Sequence, residues 1–179
     1  KKFGLFFKYF IDNGIQINVN GESVKSFDPM HRNEPFSERK SELNQTFEFN
    51  EKTYMFNVYR LDKSASHMLR QNGYGRNAAN AGIYIYRNYR LVGQALDLGI
   101  VGKYGDGWSI EIRIELFVDG SDDHLFNSTF MKMISEKESS EINQGFIDKC
   151  KEVLGKFISS IRSEERNEKR EEEVNEDTK

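Results

Sequence analysis

Apolar residues recur at Phe3, Phe6, Phe7, Phe10 and Ile11, the i, i+3, i+4, i+7, i+8 spacing of an amphipathic helix with Lys2, Lys8 and Asp12 on its outer side. Gly14 stands where a helix stop is expected. The pattern then changes to period two. Ile15, Ile17 and Val19 alternate with Gln16, Asn18 and Asn20, and Asn20-Gly21 signals a hairpin turn. Pro29 and Pro35 make residues 26–38 a loop. A second hairpin is expected over Thr46–Leu61, turning near Asn50–Lys52, and residues 64–80 read as a long loop. The segment 81–93, AGIYIYRNYRLVG, reads as a strand, a tight turn and a short strand.

The cleanest alternation lies in WSIEIRIELFVDG. Trp108, Ile110, Ile112, Ile114, Leu116 and Val118 share one face, and Glu111, Arg113 and Glu115 share the other. This predicts a strand with one buried and one wet face. A long helix is expected from about Ser140 to Ile161, with Ile142, Phe146, Cys150, Val153, Leu154, Phe157, Ile158 and Ile161 as its apolar stripe. The expected class is α+β, an antiparallel or mixed sheet with helices on one face. The domain spans residues 1–163, and 164–179 form a charged helix end or tail.

Composition narrows the function classes. The chain has 179 residues, 37% hydrophobic and 13% aromatic, enough for a real core. A net charge of −3 leaves attraction to nucleic acid or anionic lipid to a local patch. A single cysteine, Cys150, excludes an internal disulfide, and no apolar run approaches the ~20 residues of a membrane span. A cytoplasmic location is the simple expectation. The sequence opens on a helical pattern without Met, which suggests a piece of a longer protein.

Motifs for self-sufficient catalysis are weak. Gly73-x-Gly75 has neither the strand before it nor the helix after it that a dinucleotide loop requires. His31, His67 and His124 lie far apart, none in a metal-binding pair, and no metal site is expected. Asp122 and Asp123, ahead of an apolar turn, read as an N-cap. Cys150 on a helix stripe reads as a buried core thiol.

A resemblance adds what the residues alone do not. GIYIYRNYRLV is similar to the G-F/I-Y-x-Y-R-N-x-R-L-I segment of the transducer domain in bacterial ATPases of the GHKL superfamily, to which gyrase B, the heat-shock chaperone ATPases, the histidine kinases and MutL belong. MORC-type ATPases carry a related version. YFIDNGIQINVNGESVKSFDP resembles the helix–strand entry of that domain, and WSIEIRIELFVDGSDDHLF its strand leading to Asp-x-x-Phe. NSTFMKMI resembles its lysine-presenting loop. These stretches keep the family's order from about residue 8 to 134.

The resemblance implies the left-handed βαβ fold shared with domain two of ribosomal protein S five. It also implies a preceding ATP-binding domain, in the parent protein, that binds ATP and Mg; this chain itself is expected to hold no cofactor. Lys132, with Lys137 as fallback, is the implied contact to the γ-phosphate, where an ammonium neutralises developing charge. Read without the resemblance, Lys132 is a solvated lysine. Arg87, Asn88 and Arg90 are either a solvated hairpin tip or a contact for carboxylate or phosphate on the ATP domain or a dimer mate. Kinship with MutL and MORC proteins leaves a homodimer and DNA open as partners, with no membrane role and DNA mismatch repair as one conceivable process. The alternative is a stand-alone α+β interaction module.

Overall fold

The computed structural model describes residues 2–35, 37–40, 46–62, 80–97, 111–126, 135–136 and 142–176. Two short helices, α1 (Lys2–Phe6) and α2 (Lys8–Asp12), precede a hairpin of β1 (Asn18–Val19) and β2 (Glu22–Ser23). The main sheet contains β3 (Ser37–Lys40), β4 (Thr46–Phe49), β5 (Lys52–Leu61), β6 (Gly82–Arg87), β7 (Arg90–Leu96), β8 (Ile112–Val118) and β9 (Ser135–Glu136). A 3-10 helix over Gly120–Leu125 follows β8, and a 33-residue helix α3 (Gln144–Glu176) closes the chain.

The seven-stranded sheet runs β3-β5-β8-β6-β7-β9, and β4 pairs with β5 along the edge it shares with β3. It is mixed: β6 runs parallel to β8 and β9 parallel to β7, and the other pairs are antiparallel. The fold is therefore α+β, as the patterning implies.

Each hairpin turns on an asparagine. Positive φ occurs at Asn20 and Gly21, at Asn50 and Glu51, and at Asn88 and Tyr89. Two consecutive left-handed residues make the tight turn whose twist suits paired strands, and asparagine tolerates that region better than most side chains.

The sheet is covered on both faces. On one, Ile112, Ile114, Leu116 and Val118 of β8 join Phe56, Val58, Ile83 and Ile85 against Phe146, Cys150, Leu154, Phe157, Ile158 and Ile161 of α3. Asn143 caps α3 by accepting from the Phe146 amide at 3.2 Å, which sets the helix start later than the stripe alone suggests. On the other face, Tyr59, Tyr84, Tyr86 and Leu91 pack with Leu5 and Met30, and with the half-buried Phe6, Tyr9 and Phe27. This N-terminal layer adds to the helix cover that α3 supplies on the first face.

Two expectations are corrected here. Glu111, Arg113 and Glu115 do not face water: all three are buried, and Glu115 is bonded to Tyr9 and Arg32 of the N-terminal layer. In α1–α2 the sides are partly exchanged, with Lys8 only 4% exposed and Phe3 49% exposed. The chain leaves helical geometry at Phe7 (φ −110, ψ 22), and the docking side becomes Gly4, Leu5 and Lys8. Gly4 is required there, because a Cβ would lie 2.1 Å from the Lys25 carbonyl oxygen. Lys8 keeps its charge partnered by donating to Asp12 Oδ2 at 2.7 Å while lying 4.3 Å from the Tyr9 ring centre. The Gly14 stop is as expected, at φ +92. Trp108 and Ile110 lie outside the described residues.

Candidate interaction site at the hairpin tip

The β6–β7 turn lies at the end of the sheet where β5 begins and β8 finishes. Register pairs Arg87 with Arg90 across the hairpin, and parallel pairing sets Arg87 beside Val118. The Asn88 amide donates to the Val118 carbonyl at 3.0 Å, tying the turn to the end of β8.

The chain after β8 is built to receive it. Asp119 caps the 3-10 helix by accepting from the Ser121 amide at 2.8 Å, and Asp122 accepts from the Asp119 amide at 2.7 Å, a reciprocal capping box. The cap is thus Asp119, ahead of the acidic pair the sequence suggests for that role. Asp122 is buried and also accepts from Tyr54 Oη at 2.7 Å and Lys52 Nζ at 2.8 Å. Asp123 receives the Arg87 guanidinium through two parallel bonds, both 2.7 Å.

Electrostatics follow from these bonds. Lys52 and Ser121 hold the Asp119 carboxyl down at about 2, and Arg87 lowers that of Asp123. Burial and the bond to Asp122 raise the Tyr54 hydroxyl, which stays protonated. Arg87 is therefore engaged within the chain. Asn88, Tyr89 and Arg90 are exposed, and Arg90 is the tip's outward cation. Lys132 and Lys137 lie outside the described residues; Lys132 falls between Phe126, which ends the 3-10 segment, and Ser135, which pairs with Gly93 of β7.

A second polar cluster lies under the N-terminal layer. Glu115 on β8 is 0% exposed and accepts from Tyr9 Oη at 2.7 Å and from Asn57 Nδ2 at 3.3 Å. Arg32 completes the group with a short bond to Glu115 and a 3.0 Å bond to Tyr9 Oη. Burial pushes the Glu115 carboxyl up, and the opposing pull of Arg32 and the donated bonds accommodates its charged form. Nearby, burial brings His31 down to about 4, so the ring is neutral at pH 7. Arg113 is lowered to about 10 by burial.

Among the described residues no group of three or more His, Cys, Asp or Glu could hold a metal ion, and no helix is long and apolar enough to cross a membrane. His124 Nδ1 lies 2.9 Å from the Ser121 carbonyl oxygen within the capped turn, and His67 is outside the described residues. Cys150 is buried and its thiol is pushed up to about 12, which makes it inert.

Sequence reasoning picked out the turn and missed what surrounds it. Lys52, Tyr54 and Asp119 come from other segments, and only the Asp119-x-x-Asp122 spacing was a readable sign. Comparison with family models, with characterised proteins and with solved structures finds no match for this chain.

Proposed function

We propose that this domain is the transducer of a GHKL-type ATPase, relaying the nucleotide state of a preceding ATP-binding domain to domain motion. The observation that carries the reading is the fixed hairpin tip. Arg87 is clamped on Asp123 and Asn88 on Val118, so Arg90 is presented from a tied turn at the end of a packed sheet. A relay needs such a part, because a contact that moves freely transmits no angle. The left-handed βαβ connection and the domain's place in DNA transactions belong to the same proposal.

In this reading Lys132 neutralises charge on the transferred phosphoryl group bound by the preceding domain. Arg90 and Asn88 meet that domain or a dimer mate. ATP turnover by the full-length parent tests it. Lys132→Ala is expected to lower kcat by about a hundredfold, and Arg90→Ala to lower coupling less severely. Turnover unchanged by Lys132→Ala but lost on Lys137→Ala would move the contact to the fallback residue. Absence of turnover in the wild-type parent would sink the proposal.

The other reading, a stand-alone interaction module, has one observation in its favour. The helix α3 continues through Glu176, although its described buried positions end at Ile161. A charged helical arm of this kind suits docking to a partner. Loss of partner capture on truncation after Ser163, in a protein that shows no ATP turnover, would favour it.

A further inference from the structure

Beside the hairpin tip lies an open cleft of about 220 Å³, lined by Lys52, Met55, Asn88, Tyr89, Phe117, Asp119 and neighbours. That is below the range of sites for whole cofactors, but adequate for one side chain. One side of it is apolar and exposed: Tyr89 is 58% and Met55 48% exposed. They are joined through Phe117, which pairs with Met55 in register and lies 6.2 Å from the Tyr89 ring.

Tyr89 does not suit its own backbone. It occupies φ 66 at the second turn position, where glycine is the favoured residue. The turn would form more readily without this ring, which leaves its presence to be explained by what the ring contacts. Inward it meets Tyr9 at 5.7 Å, and outward it walls the cleft.

The other end of the cleft is acidic. Asp119 and Asp122 set two carboxylates against the single ammonium of Lys52. The bonds from Lys52 and from the Ser121 amide and hydroxyl all reach Oδ1 of Asp119, and its side chain remains about half exposed. Aromatic faces next to an exposed carboxylate attract a flat cation.

We propose that this cleft receives an arginine side chain presented by a partner protein. The guanidinium lies against Tyr89 and Phe117 and reaches Asp119, while its aliphatic stem covers Met55. Arginine fits better than lysine because a planar, weakly hydrated fork can stack and bond a carboxylate together. The proposal stands independently of the relay reading.

The test is a titration of the ¹⁵N-labelled full chain with an acetylated and amidated Gly-Ala-Arg-Ala-Gly peptide, and with its citrulline counterpart. The arginine peptide should shift the amides of Thr53, Asn88, Tyr89 and Asp119 with a Kd on the order of 1 mM, as one side chain allows. The neutral citrulline peptide should bind at least ~10-fold more weakly. Tyr89→Gly should lose binding to a similar extent with the melting temperature within about 3 °C of wild type, since glycine relieves the turn as the ring contacts are lost. Met55→Ala, at an exposed strand position, should weaken binding without altering the fold. Equal affinity for both peptides, or full binding by Tyr89→Gly and Met55→Ala, would overturn the proposal. So would concentration-dependent shifts of the same amides without peptide, abolished by Arg90→Ala, which would assign the cleft to a second copy of the chain.

Discussion

The two faces of this sheet are covered by different chemistry. Toward α3, the β-strands present isoleucine, leucine, valine and phenylalanine to a helix stripe of the same kind. Toward the N-terminal layer, the same strands bury Arg113 and Glu115 beside three tyrosines and one phenylalanine of the sheet, Tyr59, Tyr84, Tyr86 and Phe117. Apolar contact is non-directional and tolerates small shifts. Buried ionic contact holds only while its geometry is kept, since desolvation offsets most of the attraction. The difference suggests a permanent face and a conditional one.

The strongest way to break the comparison is to damage each face in turn. Phe146→Ala, at a fully buried position touching Phe47, Phe49, Tyr54 and Phe126, should cost about 3–5 kcal/mol at every pH in urea unfolding. Arg32→Met should cost about 3–5 kcal/mol at pH 7, because Glu115 is then buried without its cation. That loss should shrink on acidification. A carboxyl raised above its unfolded value takes up its proton in the folded state first, so folding gains as pH falls through the folded value. A pH-independent deficit would mean that Glu115 carries no charge to neutralise.

The double variant Arg32→Met, Glu115→Leu sharpens the comparison further. With both charges replaced by apolar groups, stability should return to wild type or exceed it by about 1–4 kcal/mol. Under the relay proposed above, ATP turnover by the parent protein or its coupling should then suffer. A smaller effect concerns His31, whose folded value is about 4 against 6.5 when unfolded. Between those values the unfolded chain holds a proton that the folded chain lacks, so stability falls as pH drops from 6.5 to 4 and levels off below. His31→Asn, which keeps the left-handed backbone at φ 51, should flatten that decline. The smallest effect is Tyr86→Phe. The buried Tyr86 hydroxyl has no hydrogen-bond partner among the described residues, and removing it should raise stability by about 1 kcal/mol.

Much of the apolar face was legible in the sequence, and little of the ionic one. Ile112 to Val118 alternate, and the α3 stripe repeats at helical spacing, because burial against like residues leaves its period in the chain. Glu111, Arg113 and Glu115 leave the same alternation whether they face water or a covering layer. Their partners settle the matter, and Arg32 lies 83 positions from Glu115, beyond the reach of any local pattern. The exchange of Lys8 and Phe3 was hidden for a related reason: it follows from the close approach of Lys25 to Gly4, a tertiary contact. At the hairpin tip the turn was readable from Asn88, since its chemistry is local. The Lys52–Asp119–Asp122 group joins separate segments and was not.

The central claim, a permanent apolar face and a releasable ionic one, is tested most directly by native-state hydrogen exchange on the full chain. The amides of Phe7 and Ile11, bonded within the N-terminal helices at 3.0 Å, should exchange through an opening that leaves β5 and β8 protected. Its free energy should lie clearly below that of global unfolding and rise in the Arg32→Met, Glu115→Leu variant. Exchange of both sets only through global unfolding would contradict the claim, and the N-terminal layer would then be as permanent as α3.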